Sequence, residues 1–300
     1  MTTRLGIRVA ILLTIGAATG ILVACSRSDS SVEAIEYRPV SFAAGGSPEV
    51  VVVTINGSVS ILGEVGRTTT GVTAILRASG RSLRQAQQRV EGLPVTMTRK
   101  GDRVELTFEP PEETARWDEQ PSVLFEVRLP AQASIHVDSS NGSARVEDIE
   151  GRIVIDMERG TVEVHRCQGE IDLAVTNGTV RVSDAVGTLR ARGERSDIVV
   201  STSEVSVDLE TMIGDVEFSG RFVGLAHRIH ASTGGITLSI PSDSELQLEA
   251  AVSTGRIESS LPFAGDTEGT EWSAVLNAAT SVLNLRSTNG WIRVEASDNI

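Results

Sequence analysis

Ser140–Val182 reads SNGSARVEDIEGRIVIDMERGTVEVHRCQGEIDLAVTNGTVRV. Each unit in it is a turn residue, usually Gly, followed by a short alternating run. Gly142, Gly160 and Gly178 recur every 18 residues, and Gly151, Gly169 and Gly187 repeat at the same interval midway between them. After each turn the second and fourth residues are apolar: Ile153 and Ile155, Val162 and Val164, Ile171 and Leu173, Val180 and Val182. Residues two apart on a strand share a face, so each strand has one apolar and one polar side. Five residues cover only ~16 Å and cannot bury such a pair alone. Stacking the unit on itself makes a continuous core.

The pattern runs on to Gly214, loosens at Gly234 and Gly255, and ends in Asn289-Gly290-Trp291-Ile292-Arg293-Val294. The turn glycines are structural candidates because Gly tolerates positive φ. Two architectures fit: a β-solenoid of two-strand coils, or a run of hairpins, for which Asn-Gly is also the strongest short signal. The constant period favours coiling. The expected fold is therefore all-β, a solenoid-like stack of 18-residue coils, with an N-terminal β-region carrying one helix.

Outward from this stretch the chain divides into four. Residues 1–24 read as a secretion signal, with Arg4 and Arg8 before an apolar run over Val9–Val23. That run is short for a membrane span of ~20 residues. Leu22-Val23-Ala24-Cys25 resembles the lipobox of bacterial lipoproteins, which implies lipidation of Cys25 and anchoring by its acyl chains. The implied address is the cell envelope: in a two-membrane bacterium Ser26 resembles an outer-membrane sorting signal, and otherwise the outer face of the cell membrane is implied. Residues 25–48 are rich in Ser, Ala, Gly and acids and read as a flexible tether. Residues 49–130 read as a β-region that caps the stack, with strands over Glu49–Leu62, Thr70–Ala78, Val95–Thr98, Arg103–Glu109 and Val123–Leu129. A helix is expected over Ser82–Val90, capped by Ser79 or Ser82, with Leu83, Ala86 and Val90 on one stripe. Residues 131–300 hold the repeats.

Composition narrows the function. Lys and Arg total 27 against 40 Asp and Glu, a net charge of −13. Without Arg4 and Arg8 the balance is 25 against 40, or −15. That argues against a nucleic-acid-binding role and against direct binding to anionic lipid or anionic polymer. Cys167 is the one cysteine besides Cys25, so no intrachain disulfide is expected, and a small buried hydrophobe is the simple reading.

Strand, helix, strand, then Leu129–Gly142 (LPAQASIHVDSSNG), repeated N-G-x-V-x-V units and the closing Arg286–Val294 (RSTNGWIRV) resemble the DUF4097 family over roughly Val50 to Ala296. These are bacterial candidate-adhesin domains of β-strand repeats. The resemblance implies a solenoid-like fold exposed at the envelope and carries over no catalytic motif. The chain departs from the repeat where Ser196 and Ser203 replace turn glycines, and over residues 224–245.

Other chemistry finds little footing. The calcium β-roll shares the 18-residue period, but its Gly/Asp ladder is missing here; Asp148, Asp184 and Asp215 read as solvated turn acids. His227 and His230 have metal-ligand spacing, yet residues three apart on a strand point to opposite faces. His136 and His165 fall in polar slots. Glycan-acting β-helix enzymes need convergent carboxylates in a groove, and none stands out. No cofactor is implied. Trp117, Trp272 and Trp291 could stack on sugars; the simpler reading has Trp272 and Trp291 plugging the C-terminal end of the core. The expectation is a non-enzymatic, lipid-anchored envelope protein acting as an adhesin on a protein or glycan partner. The alternatives are an envelope-stress or regulatory accessory protein and, third, a glycan-acting enzyme.

Overall fold

The computed structural model describes residues 21–22, 31–117 and 119–297. The signal segment up to residue 20 and the lipobox Cys25 lie outside the described residues. Within them the chain forms eighteen strands joined in one hydrogen-bonded sheet, a single α-helix and a single 3-10 turn.

The centre is built from β8 (Ser134–Glu147), β9 (Glu150–His165), β10 (Gln168–Ser183) and β11 (Val186–Ile213). Neighbours pair in parallel with an offset of 18: Ile153↔Ile171↔Leu189 and Val162↔Val180↔Ile198. Hairpins pair antiparallel, so successive units here are not hairpins. The strands β8, β9 and β10 bend at Gly142, Gly160 and Gly178 into two limbs, and β11 does so at Ser196. In β9 the first limb buries Ile153, Ile155 and Met157, and the second buries Val162 and Val164. The two limbs of every layer enclose one core of small aliphatic side chains.

The bend needs glycine for two reasons. Gly160 has φ 141°, and a Cβ there would lie 1.8 Å from the carbonyl oxygen of Gly142. At the next layer but one, Ser196 replaces glycine. Its buried hydroxyl donates to the Val175 carbonyl at 2.9 Å, and the Thr211 hydroxyl donates to the Ser196 carbonyl at 2.8 Å.

Beyond β11 the offset grows to 20, as in Asp208↔Arg228 and Val216↔Ile236. The layer there is β12 (Val216–Phe222), β13 (Ala226–Thr233) and β14 (Ile236–Ile240). The additional residues bulge at Val223–Leu225, and the widened corner is filled by Phe218, Phe222 and His227. Their rings stack with centroids 4.4 Å and 4.6 Å apart.

Sequence order and spatial order then part. β15 (Leu246–Ser259) does not pair with the layer before it. The C-terminal β18 (Val282–Ala296) lies between them, parallel to β13 and β14 on one side and to β15 on the other. Asn289-Gly290 is therefore an interior layer and not the end of the stack. The end is covered on the first limb by β17 (Glu271–Leu276), antiparallel to β15, and by β16 (Ala264–Asp266) beyond it.

At the other end, β3 (Glu49–Glu64) is already a full two-limb layer, paired in parallel with β8 across the expected boundary at 130–131. Asn56-Gly57 is its bend. Above it lie β6 (Arg103–Phe108) on the first limb and β7 (Ser122–Pro130) on the second. β5 (Thr96–Lys100) covers β6, and β4 (Thr69–Gly80) covers β7. The helix α1 (Leu83–Glu91) is capped by the Ser82 hydroxyl, which accepts from the Gln85 N–H. It buries Ala86 and Val90, while Leu83 stays exposed and Leu93 is buried just past the helix.

The tether expectation fails over half of its length, residues 32–43. Val32–Ala43 is β2, antiparallel to β4 along twelve residue pairs, and a two-residue β1 (Ile21–Leu22) pairs with β2. Arg38 holds β2 to the helix: its guanidinium donates to the carbonyls of Val90, Glu91 and Leu93 and pairs with Glu36 at 2.9 Å. These contacts order a strand whose composition alone reads as a linker.

Candidate functional site

The most repeated residues form columns at the corners. Gly142, Gly160, Gly178, Gly214, Gly234, Gly290 and Gly255 stack in that spatial order along one edge, with Gly57 ahead and Ser196 interposed. Gly151, Gly169 and Gly187 stack along the opposite edge. In each column a glycine sits against the backbone of the layer before it, so the columns are scaffold and leave no room for a ligand.

The candidate reactive side chains are dispersed. Cys167 is buried, its Sγ turned to the carbonyls of Val146 and His165. Burial pushes its thiol pKa up to about 11. His227 and His230 face opposite ways. His227 is 2% exposed, stacks on Phe222, and accepts from the Val207 N–H at 3.4 Å through Nδ1, while its Nε2 has no partner. Burial holds its pKa below the ordinary histidine value. His230 faces outward, 3.7 Å from Glu210. His165 contacts the Ser183 hydroxyl at 2.6 Å and Asp184 at 3.3 Å. Among the described residues, no three His, Cys, Asp or Glu side chains converge to hold a metal.

The tryptophans are equally separate. Trp117 lies under the Arg89 guanidinium, 4.4 Å from the ring centroid. Trp272 closes the C-terminal end of the core, as expected. Trp291 does not: it lies on the outer surface, its ring over Gly235, which has no side chain to displace it. The Arg293 guanidinium stands 5.2 Å from its centroid.

What the fold does bring together is outward rows of polar side chains, one residue per layer. On the second limb and adjoining corner, Arg145 pairs with Glu147 and Glu163, and Arg166 pairs with Asp148 at 2.7 Å and Glu147 at 3.3 Å. The Arg166 guanidinium holds the Asp148 carboxyl below its usual range. On the first limb, one row runs Arg190, Asp208, Arg228, with contacts of 3.9 Å and 2.7 Å; Arg228 also reaches Glu210 at 3.1 Å.

The neighbouring row breaks this alternation. Cross-strand register sets Glu210, His230, Arg286, Ala251 and Glu271 side by side on β11, β13, β18, β15 and β17. The methyl group of Ala251 leaves a depression between two long side chains. The result is an open groove of about 550 Å³, with Arg228, His230 and Arg286 on one side and Glu271 on the other. Asn284, Ser253 and Thr288 add amide and hydroxyl groups. It continues into a second hollow of about 310 Å³ bordered by Glu249 and Asp266. Of these groove residues sequence reading singles out only His230, weighed as a metal ligand and set aside. Their separations are irregular, and only the intercalation of β18 makes Arg286 and Ala251 neighbours.

Solved structures with a resembling chain trace include a candidate cell adhesion protein from Clostridium sporogenes, 11% identical, with a TM-score of 0.27, covering 88% of this chain and 100% of that chain. A candidate adhesin from Bacteroides fragilis is 7% identical, with a TM-score of 0.32, covering 87% of this chain and 97% of that one. One from Parabacteroides merdae is 10% identical, with a TM-score of 0.30, covering 87% and 96%. No curated protein matches the chain in sequence. The family described as Toastrack DUF4097 matches residues 78–295, more than half the chain. The chain belongs to the Toastrack DUF4097 family.

Proposed function

We propose that this chain is a non-catalytic, lipid-anchored protein of the bacterial cell envelope. In this reading it is a two-sided β-solenoid whose outer faces bind a partner outside the cell, as an adhesin does. The observation that carries the reading is the long parallel register of β8 to β11. It fixes polar side chains in rows at strand spacing, about 4.8 Å, and a pre-set surface loses little conformational entropy on binding. The burial of Cys167 and His227 fits a scaffold better than a reactive centre.

Lipidation at Cys25 predicts that the mature chain partitions with membranes and carries added acyl mass. Cys25→Ala should release it to the soluble fraction at unlipidated mass; membrane-bound protein of unchanged mass would refute the anchor. A deletion strain should lose attachment to surfaces or host cells.

A second reading, an envelope-stress accessory acting through protein contacts, draws on the corner bulge, where Val223 is 50% and Leu225 80% exposed. A deletion strain with normal attachment and an altered envelope-stress response would select it.

A further inference from the structure

We infer that the groove over Ala251 binds a carboxylate-bearing saccharide, with Arg286 taking the carboxylate. This deepens the adhesin reading and rests on it.

The argument starts from the charge rows. Along the first limb, Arg190 and Arg228 each face a carboxylate in a neighbouring layer; Arg228 lies 2.7 Å from Asp208 and 3.1 Å from Glu210. Arg286 has His230 on one side and Ala251 on the other, and no described carboxylate pairs with it. A guanidinium presents five donors in a planar fork that matches a carboxylate with two parallel bonds. Arg286 offers that fork at the rim of a groove, on an interior strand held by ladders on both sides.

The rest of the lining selects the body of the ligand. Asn284, Ser253 and Thr288 supply paired donors and acceptors, and Glu271 supplies acceptors alone. Such a set suits a hydroxyl-rich ring. It suits an acidic peptide poorly, because Glu271 opposes a second negative charge. The volume of about 550 Å³ falls within the roughly 300–1,000 Å³ usual for small-ligand sites. The far wall is also firm. Glu271 precedes Trp272 on β17, and Trp272 is 9% exposed within the core. With a net charge of −13, the molecule as a whole repels anions, so an acidic glycan needs such a local cationic point.

The test titrates the purified full-length chain calorimetrically with a panel of glucuronic-acid disaccharides and their carboxyl-reduced counterparts. At least one acidic member should bind ~10-fold or more tightly than its reduced form, and the gap should narrow in high salt. Arg286→Ala should remove that preference. Ala251→Leu should fill the groove and abolish binding of both forms. Both positions face outward, and unchanged thermal midpoints would show that the variants fold. Equal binding of acidic and reduced sugars, an Arg286→Ala variant that keeps the preference, no binding by any member, or displacement by an acidic peptide at lower concentration would each overturn the assignment. Attachment that depends on the chain but not on Arg286 would end the groove proposal and leave the adhesin reading standing. Arg286-dependent binding of the acid, with attachment unaltered in a deletion strain, would do the reverse.

Discussion

The carbonyl oxygen of Gly142 occupies the place that a Cβ on Gly160 would need, 1.8 Å away, one layer up the stack. Gly160 also has φ 141°. Gly160→Ala therefore meets two costs, backbone strain and a clash that only movement of a whole layer relieves. A destabilisation of ~2–4 kcal/mol is expected. Gly66 separates the two causes, since its φ is 77° but nothing lies within 4 Å of its Cβ position. Gly66→Ala should cost ~1 kcal/mol. Urea midpoints of the two variants check this; equal losses would show that the interlayer contact is unimportant.

This contact explains how much could be read in advance. Gly142, Gly160 and Gly178 are legible because each layer repeats its neighbour's environment, so the constraint returns at constant spacing. The order of layers is not legible. Gly290 makes the same kind of contact with Gly234 that Gly160 makes with Gly142, and nothing in an Asn-Gly unit says which layer it will join. The groove depends on that order, because Arg286 and Ala251 meet only through β18. β2 was hidden for another reason: Glu33, Glu36, Arg38 and Pro39 dilute its alternation, and its pairing partner lies in β4.

His227 gives the stack a pH dependence. A histidine in the unfolded chain titrates near 6.5, and burial holds the folded value lower. Above about 6.5 both states are neutral and stability is complete. Below it the unfolded chain takes up a proton that the folded chain resists, so stability falls as pH falls, by at most ~1.4 kcal/mol per pH unit. His227→Phe keeps an aromatic ring against Phe222 and removes the proton. Unfolding free energies of both proteins between pH 7 and 5 should diverge, with the variant the flatter; parallel curves would show that His227 does not titrate differently on folding.

Cys167 should be inert while the chain is folded. Its thiol is 2% exposed, and burial raises its pKa to about 11, so little of the reactive thiolate is present at pH 8. A Cys25→Ala protein should react with a thiol-specific disulfide reagent only at the rate of unfolding, and promptly in denaturant. Immediate stoichiometric reaction in buffer would mean that the corner at Arg166–Gln168 opens far more readily than its packing implies.

β18 should be indispensable despite being the last strand in the chain. In a stack laid down in sequence order, removing the final layer would trim one end. Here Leu283, Leu285, Ile292 and Val294 are at most 1% exposed, and their strand carries ladders on both sides. Truncating even one such aliphatic side chain costs ~2–5 kcal/mol, against ~5–15 kcal/mol for a whole domain. Deleting residues 282–300 should leave β13, β14 and β15 facing a gap one strand wide, with open parallel edges prone to association. The truncated chain should be insoluble or lack a cooperative melt. A synthetic peptide of residues 282–297, added during refolding, should restore solubility by filling the slot. A soluble monomer that melts within a few degrees of the intact protein would place β18 at the periphery and undo the layer order on which the groove depends.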